Sequence, residues 1–251
     1  MGPAYIPYCG PAPVPSDLWG AWNLDPVLIG LLLAGAGLSG FALRAAPGRQ
    51  RLALAGFAVL ALAFVSPICA LASALFSARV VHHLLLIAAA APLLALAWPA
   101  RGRAGVGAAA LVHTVLTWVW HAPGPYAWAL SSDPAYWVME ASLLASAVWL
   151  WRGLLDRRGG PAAPVAAAVA TMAQMMLLGG LLLFAGAPLF LVHLSTTGPW
   201  GISPLTDQQL AGIAMAVLGA PAYAGAALWQ VLSLFSPPQG EAVSQREAAQ
   251  A

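Results

Sequence analysis

The chain is a succession of apolar stretches, several of which reach the roughly 20 residues that a helix needs to cross a hydrocarbon core of about 30 Å, separated by short connectors that hold most of the charge. A water-facing surface cannot be assembled from such material. Charged residues make up 7% and hydrophobic residues 61% of the 251 positions, whereas an ordinary soluble domain carries about a quarter charged residues. The solvent implied is a bilayer, and the fold class expected is all-α, a polytopic bundle of seven transmembrane helices.

Apolar runs read against turn and charge signals place the spans near residues 26–43, 52–71, 80–98, 104–120, 136–155, 165–191 and 210–232. The connectors between them are then 44–51, a segment around 73–79, 99–103, 122–135, 156–164 and 193–209. Residues 1–25 are proline-rich and read as an extended segment outside the cytoplasm, 26–232 as one membrane domain, and 233–251 as a cytoplasmic tail expected to be disordered. No basic region precedes a short apolar segment at Met1, so the first span is expected to direct insertion.

Arginine placement orients the bundle, because cytoplasmic loops are enriched in Lys and Arg. Arg44, Arg49 and Arg51 fall in the first connector, Arg101 and Arg103 in the third, Arg152, Arg157 and Arg158 around the fifth, and Arg246 in the tail. The alternate connectors carry Asp17, Asp25, Asp133 and Asp207 instead. The expected topology is therefore N-terminus outside and C-terminus inside. Trp22, Trp98, Trp118, Trp120, Trp137, Trp149, Trp151 and Trp229 cluster near proposed span ends, as interfacial anchors do.

The formal charge of +2 comes from scattered arginines that form no stripe, which excludes a nucleic-acid partner and leaves lipid as the surrounding medium. All ten basic residues are arginine, so neither a retinal-type Schiff base nor a lysine nucleophile can form. No catalytic triad, phosphate loop or paired-carboxylate arrangement is visible, so the chain is not read as an enzyme. Cys9 and Cys69 are too few and too far apart for a zinc or iron–sulfur pattern and are read as unpaired apolar thiols.

Ionisable groups inside spans are costly and mark candidate sites. Here they are His82 and His83 at the start of the third span, His113 and His121 in the fourth, Glu140 in the fifth, His193 at the end of the sixth, and Asp207, Gln208 and Gln209 before the seventh. All except His113 converge on the outer side. Arg79 stands on that side too, against the arginine rule, four residues before His83 and so on the same helix face. Glu140 is its natural partner, and a buried Arg79–Glu140 pair is a purely structural reading of both. Asp207 at a helix start is equally suited to the positive end of the helix dipole, and two glutamines followed by Ala211 and Gly212 suit close interhelical packing.

Imidazole binds copper, zinc and iron, and thioethers select Cu(I). A copper site would draw on His83, His121 and His82. Met172, Met175 and Met176 recur at i, i+3 and i+4 and offer soft ligands from one helix face, although a methionine stripe is more often flexible packing. Two other classes remain open: a haem-binding redox protein ligated by His83, His113 and His121, and a copper or small-solute transporter, for which inverted repeats and paired broken helices are not evident.

Three ordered blocks resemble one family. Ser66-Pro67, then Ala74-Leu75-Phe76-Ser77-Ala78-Arg79-Val80-Val81-His82-His83-Leu84-Leu85-Leu86 and Ala91-Pro92-Leu93-Leu94, resemble the signature region of the CtaG family of cytochrome c oxidase assembly factors. Trp120-His121-Ala122-Pro123 with Tyr126, and Trp200-Gly201-Ile202-Ser203-Pro204-Leu205-Thr206-Asp207-Gln208-Gln209-Leu210-Ala211-Gly212, resemble its next and last blocks. The resemblance implies a seven-helix protein of the bacterial inner membrane that helps mature haem–copper oxidases, with oxidase subunits as partners and copper as the metal in play. Where the family usually reads His-Met-x-Gln-His, this chain has Arg79-Val80-Val81-His82-His83, and a usual Glu-His pair is Glu140-Ala141. Two expected ligands are thus missing and a cation is gained. The residues kept from the family pattern are expected to line one outer pocket: His83, His121, Glu140, Asp207, Gln208 and Gln209, with Arg79 pointing into it.

Overall fold

The computed structural model describes residues 6–100 and 105–235. The expectations placed on Arg101, Arg103, Arg246 and the tail beyond 235 lie outside the described residues. Within them every regular element is helical. The helices are α1 (Pro26–Ala42), α2 (Pro47–Val65), α3 (Pro67–Ala74), α4 (Phe76–Ala97), α5 (Val106–Trp120), α6 (Pro123–Ala129), α7 (Asp133–Leu154), α8 (Ala162–Phe184) and α9 (Pro204–Phe235).

Local chemistry sets the helix starts. Asp25-Pro26, Ser66-Pro67 and Ser203-Pro204 each place an oxygen-bearing cap before a proline whose missing N–H costs nothing in the first turn. Asp25 Oδ1 accepts from the Val27 and Leu28 amides at 2.7 and 3.3 Å, and Ser203 Oγ from the Thr206 amide at 3.0 Å. Ser66-Pro67 also divides the expected second span: α2 begins at Pro47, five residues before the expected start, and ends at Val65, and α3 is a separate helix. The expected connector at 73–79 is mostly helical as well, with only Leu75 extended between α3 and α4. The connector at 122–135 contains α6, and the sixth span ends at Phe184 rather than at 191.

Among the described residues four helices are long and apolar enough to cross a membrane: α2, α4, α8 and α9. The helices α1 and α5 are apolar but have only 17 and 15 residues. At 22 residues α7 is long enough, yet Asp133, Glu140 and Arg152 make it more polar.

The helix α4 is central, packed against α2, α3, α7 and α9, while α5 packs against α7 and α8. By contrast α1 packs on α2 alone among the long helices and leaves Val27, Leu31, Leu33, Leu38 and Phe41 about two-thirds exposed, as lipid-facing side chains are. Where α8 and α9 meet, Gly179 and Gly212 face each other so closely that a Cβ on Gly179 would sit 2.7 Å from the Gly212 carbonyl oxygen. Only glycine allows that backbone approach.

Two helices widen locally into π turns, α4 at Leu85–Ala90 and α9 at Met215–Gly219. Each precedes a proline by two residues, Pro92 and Pro221. A proline inside a helix lacks its N–H and its ring collides with the carbonyl four residues earlier, and a π turn relieves that collision without ending the helix. One freed carbonyl, on Ile87, accepts from Trp151 Nε1 at 2.7 Å.

Residues 6–25 cross the end of the bundle as a strap. Cys9 and Cys69 form a disulfide with Cα atoms 5.1 Å apart, which overturns the reading of both as unpaired thiols. The 60-residue separation that hid the pairing in sequence is closed by α1 and α2 folding back on each other. Tyr8 stacks on Tyr136 at 5.0 Å and donates to Asp25 Oδ2 at 2.8 Å, and Trp200 Nε1 donates to the Pro13 carbonyl at 3.1 Å. The Asp25 carboxyl, at the start of α1, is held below its ordinary range by the Tyr8 hydroxyl and the helix amides.

Candidate functional site

The first two turns of α4 present Arg79, His82 and His83 to Glu140 of α7. All four are at most 2% exposed. Their nitrogens converge on one oxygen: Glu140 Oε1 lies 3.2 Å from Arg79 Nη1, 3.4 Å from His83 Nε2 and 3.7 Å from His82 Nδ1. His82, His83 and Glu140 form a group whose candidate ligand atoms all lie within 4.8 Å of one another. His121, at the end of α5, adds a third imidazole, its ring edge-to-face with His83 at 5.3 Å.

The His121 tautomer follows from its partner. Its Nδ1 lies 2.7 Å from the Thr117 carbonyl oxygen, which can only accept, so Nδ1 carries the proton and Nε2 keeps its lone pair. That nitrogen is buried without a hydrogen-bond partner, as are both ring nitrogens of His82 and His83, Glu140 Oε2, and Arg79 Nε and Nη2. Two of these atoms, His83 Nε2 and His82 Nδ1, still lie 3.4 and 3.7 Å from Glu140 Oε1, so the cluster is a set of close polar contacts short of full hydrogen bonds. The donor set, neutral imidazoles beside one carboxylate, fits a metal ion with nitrogen preference.

Asp207 does not join this cluster. The capping position of α4 is Leu75, which has no acceptor, and Asp207 of α9 supplies one: its Oδ2 accepts from the Phe76 amide at 2.6 Å and its Oδ1 from the Ser77 amide at 3.1 Å and from Ser77 Oγ. A carboxylate at the positive end of a helix is stabilising, and this one is fully buried. It fixes the turn that holds Arg79 and His83 and acts by positioning. Gln208 is likewise occupied with backbone, accepting from the Leu189 amide at 2.7 Å and donating to the Leu182 carbonyl at 3.2 Å. Gln209 is half-buried, with no hydrogen bond to its side chain. The expected pocket thus contracts to Arg79, His82, His83, His121 and Glu140.

The methionine face divides. Met175 is fully buried against Gly219, Met172 is half-buried on the core, and Met176 is 52% exposed on the outside of α8. A buried stripe at i, i+3 and i+4 does not form, because α8 turns its second row toward the surroundings. His113 is saturated: Ser146 Oγ donates to the Leu143 carbonyl and so accepts from His113 Nδ1 at 2.9 Å, leaving Nε2 to accept from the Tyr223 hydroxyl at 3.3 Å. His83 and His121 are in ring contact.

Tyr136, which sequence reasoning did not single out, and Tyr126, named there only within the second resembling block, complete the surroundings. Tyr136, four residues before Glu140 on the same face of α7, sets its ring 5.3 Å from the Arg79 guanidinium carbon. Tyr126 of α6 is hydrogen-bonded to His193 Nε2 at 2.8 Å, so His193 lies beside the cluster but is engaged elsewhere. The i, i+4 spacing of Tyr136 and Glu140 was the available signal.

An all-helical bundle with several apolar helices of membrane length, enclosing a buried cluster of imidazole, carboxylate and guanidinium, belongs to the class of helical membrane proteins. The chain matches the family of the cytochrome c oxidase caa3 assembly factor (Caa3_CtaG) over residues 34–104 and 107–236, and it belongs to that family. No curated protein and no solved structure matches it.

Proposed function

We propose that the protein is a multi-pass factor of the bacterial inner membrane that holds a monovalent copper ion as cargo and passes it to a haem–copper oxidase subunit, without catalytic turnover of its own. In this reading α1, α5 and α7 cross the bilayer along with the four longer helices, making seven spans with the N-terminus outside and the C-terminus inside. At 1.5 Å per residue α1 and α5 are about 25 and 22 Å long, a shortfall that local thinning and interfacial tryptophans accommodate.

The observation that carries the reading is the meeting of buried imidazole nitrogens from His82, His83 and His121 beside Glu140. Charge chooses the ion. Arg79 stays protonated when buried and cancels Glu140, so a monovalent ion leaves one net charge in the interior where a divalent ion leaves two. Buried net charge is costly, and imidazole suits copper.

Purified protein supplied with Cu(I) should retain about one ion per chain, and His83→Ala or His121→Ala should lose it while keeping the protein's abundance. Both variants should also lower oxidase activity in cells whose oxidase transcripts are unchanged. Wild-type protein that retains no copper yet supports oxidase assembly would overturn the cargo reading. It would favour a second one, to which the Arg79–Glu140 contact already points: a metal-free chaperone with a structural polar latch.

A further inference from the structure

At the other end of the bundle from the strap, Arg152 of α7, Arg157 and Arg158 line a pocket of about 230 Å³ together with Asp156, Leu96 and Leu155. Among the described residues its lining carries three arginines and one carboxylate. Arg158 is clasped by Asp156, with contacts of 2.8 and 3.0 Å. Arg157 is held by its face over Trp229 at 5.9 Å and by the Ser233 carbonyl, and Arg152 is half-buried with its Nε out of solvent and unpartnered. Neither Arg152 nor Arg157 has an ion pair with a carboxylate among the described residues.

The surroundings are prepared for an anion. The last carbonyl of α7, Leu154, and the Asp156 carbonyl just beyond it, which would oppose negative charge, accept from Gln230 Nε2. Leu96, 44% exposed, and Leu155 add apolar surface to the same pocket. Trp149 and Trp229, 39% and 52% exposed, mark this level as an interface between headgroups and hydrocarbon.

We infer that this pocket binds the phosphate of an anionic phospholipid, with Arg152 and Arg157 as the paired cations and Leu96 and Leu155 against the first part of an acyl chain. Arginine's planar fork matches a phosphate oxygen pair in a way that an isolated positive charge does not, and basic pockets between helices at a membrane face suit such headgroups. The site is remote from the histidine cluster and does not depend on what that cluster holds.

The test reconstitutes full-length protein in nanodiscs of phosphatidylcholine alone or with phosphatidylglycerol, and measures retained lipid by native mass spectrometry together with the unfolding midpoint. Wild type should retain phosphatidylglycerol and unfold at a higher temperature in its presence. Arg152→Gln with Arg157→Gln should weaken retention about 25-fold, about fivefold for each arginine. Arg44→Gln with Arg51→Gln, which removes two exposed arginines outside the pocket, should leave retention unchanged. Equal loss in both double variants would mean diffuse attraction and overturn the site, as would equal behaviour of wild type in the two lipids. In detergent, millimolar inorganic phosphate that reproduces the full thermal shift would keep the phosphate chemistry and assign it to the free anion.

Discussion

Replacing Glu140 by glutamine keeps the side-chain volume and removes the one carboxylate on which Arg79, His82 and His83 converge. At 3.2 Å, with an effective dielectric constant of about 20, the Arg79–Glu140 attraction is about 5 kcal/mol. Breaking a buried pair by removing one partner costs about 3–5 kcal/mol, because the other charge is left uncompensated. Against a total stability of about 5–15 kcal/mol that is a large loss. Glu140→Gln is therefore expected to lower the unfolding midpoint in detergent and the amount of protein in the membrane. Arg79→Met combined with Glu140→Met should restore both, since apolar replacement of a whole buried pair is neutral or stabilising, while oxidase assembly stays impaired. Differential scanning fluorimetry with oxidase assays of membranes from the same cells reads both arms. A Glu140→Gln protein as stable as wild type would refute the electrostatic argument, and a double variant that is stable and fully active would reduce the pair to scaffolding.

Asp207→Ala should cost about 1–2 kcal/mol through loss of the α4 cap, read as a lower unfolding midpoint, with Cu(I) stoichiometry unchanged in the protein that remains folded. Cys9→Ser or Cys69→Ser should destabilise by about 2–4 kcal/mol, and wild type should shift on non-reducing gels after treatment with a thiol reductant where either variant does not. A reporter active only outside the cytoplasm should function when fused at Gly124 or Gly198 and fail in the tail beyond Phe235. Activity in the tail instead would reverse the proposed orientation.

Sequence carried the apolar helices and the pairing of Arg79 and His83 with Glu140, because both depend on spacing and span placement along one chain. Arg79 and His83 share a face at i, i+4, and Glu140 was the acid placed inside a span on the same outer side. The misplacements share a cause, which is that the deciding contact is distant in sequence. Asp207 has a helix-start signature, yet the amides it caps belong to α4, 131 residues away. Gln208 was suited to the pocket by chemistry and is consumed by carbonyls near the end of α8 that only packing brings near. Met176 differs from Met175 only in the side of α8 it occupies, which depends on where the neighbouring helices end. The break at Ser66-Pro67 was legible as a cap and proline signal but was overridden by the continuity of apolar residues. The π turns ahead of Pro92 and Pro221 mark where helices continue through prolines that would ordinarily end them.

The strap bears on the order in which the protein itself is put together. Cys9 and Cys69 both belong to the first part of the chain, and 71 residues separate Cys69 from Glu140. At translation rates of about 5–20 residues per second, the thiols precede α7 by roughly 4–14 s. Disulfides form in oxidising compartments, so rapid oxidation would fasten the strap first and oblige α7 to bring Tyr136 and Glu140 in beneath it. Slow oxidation would let α7 dock against an open α4 and be covered afterwards. The thiol chemistry of the surrounding compartment thus decides whether the buried cluster is closed over from above or filled from the side.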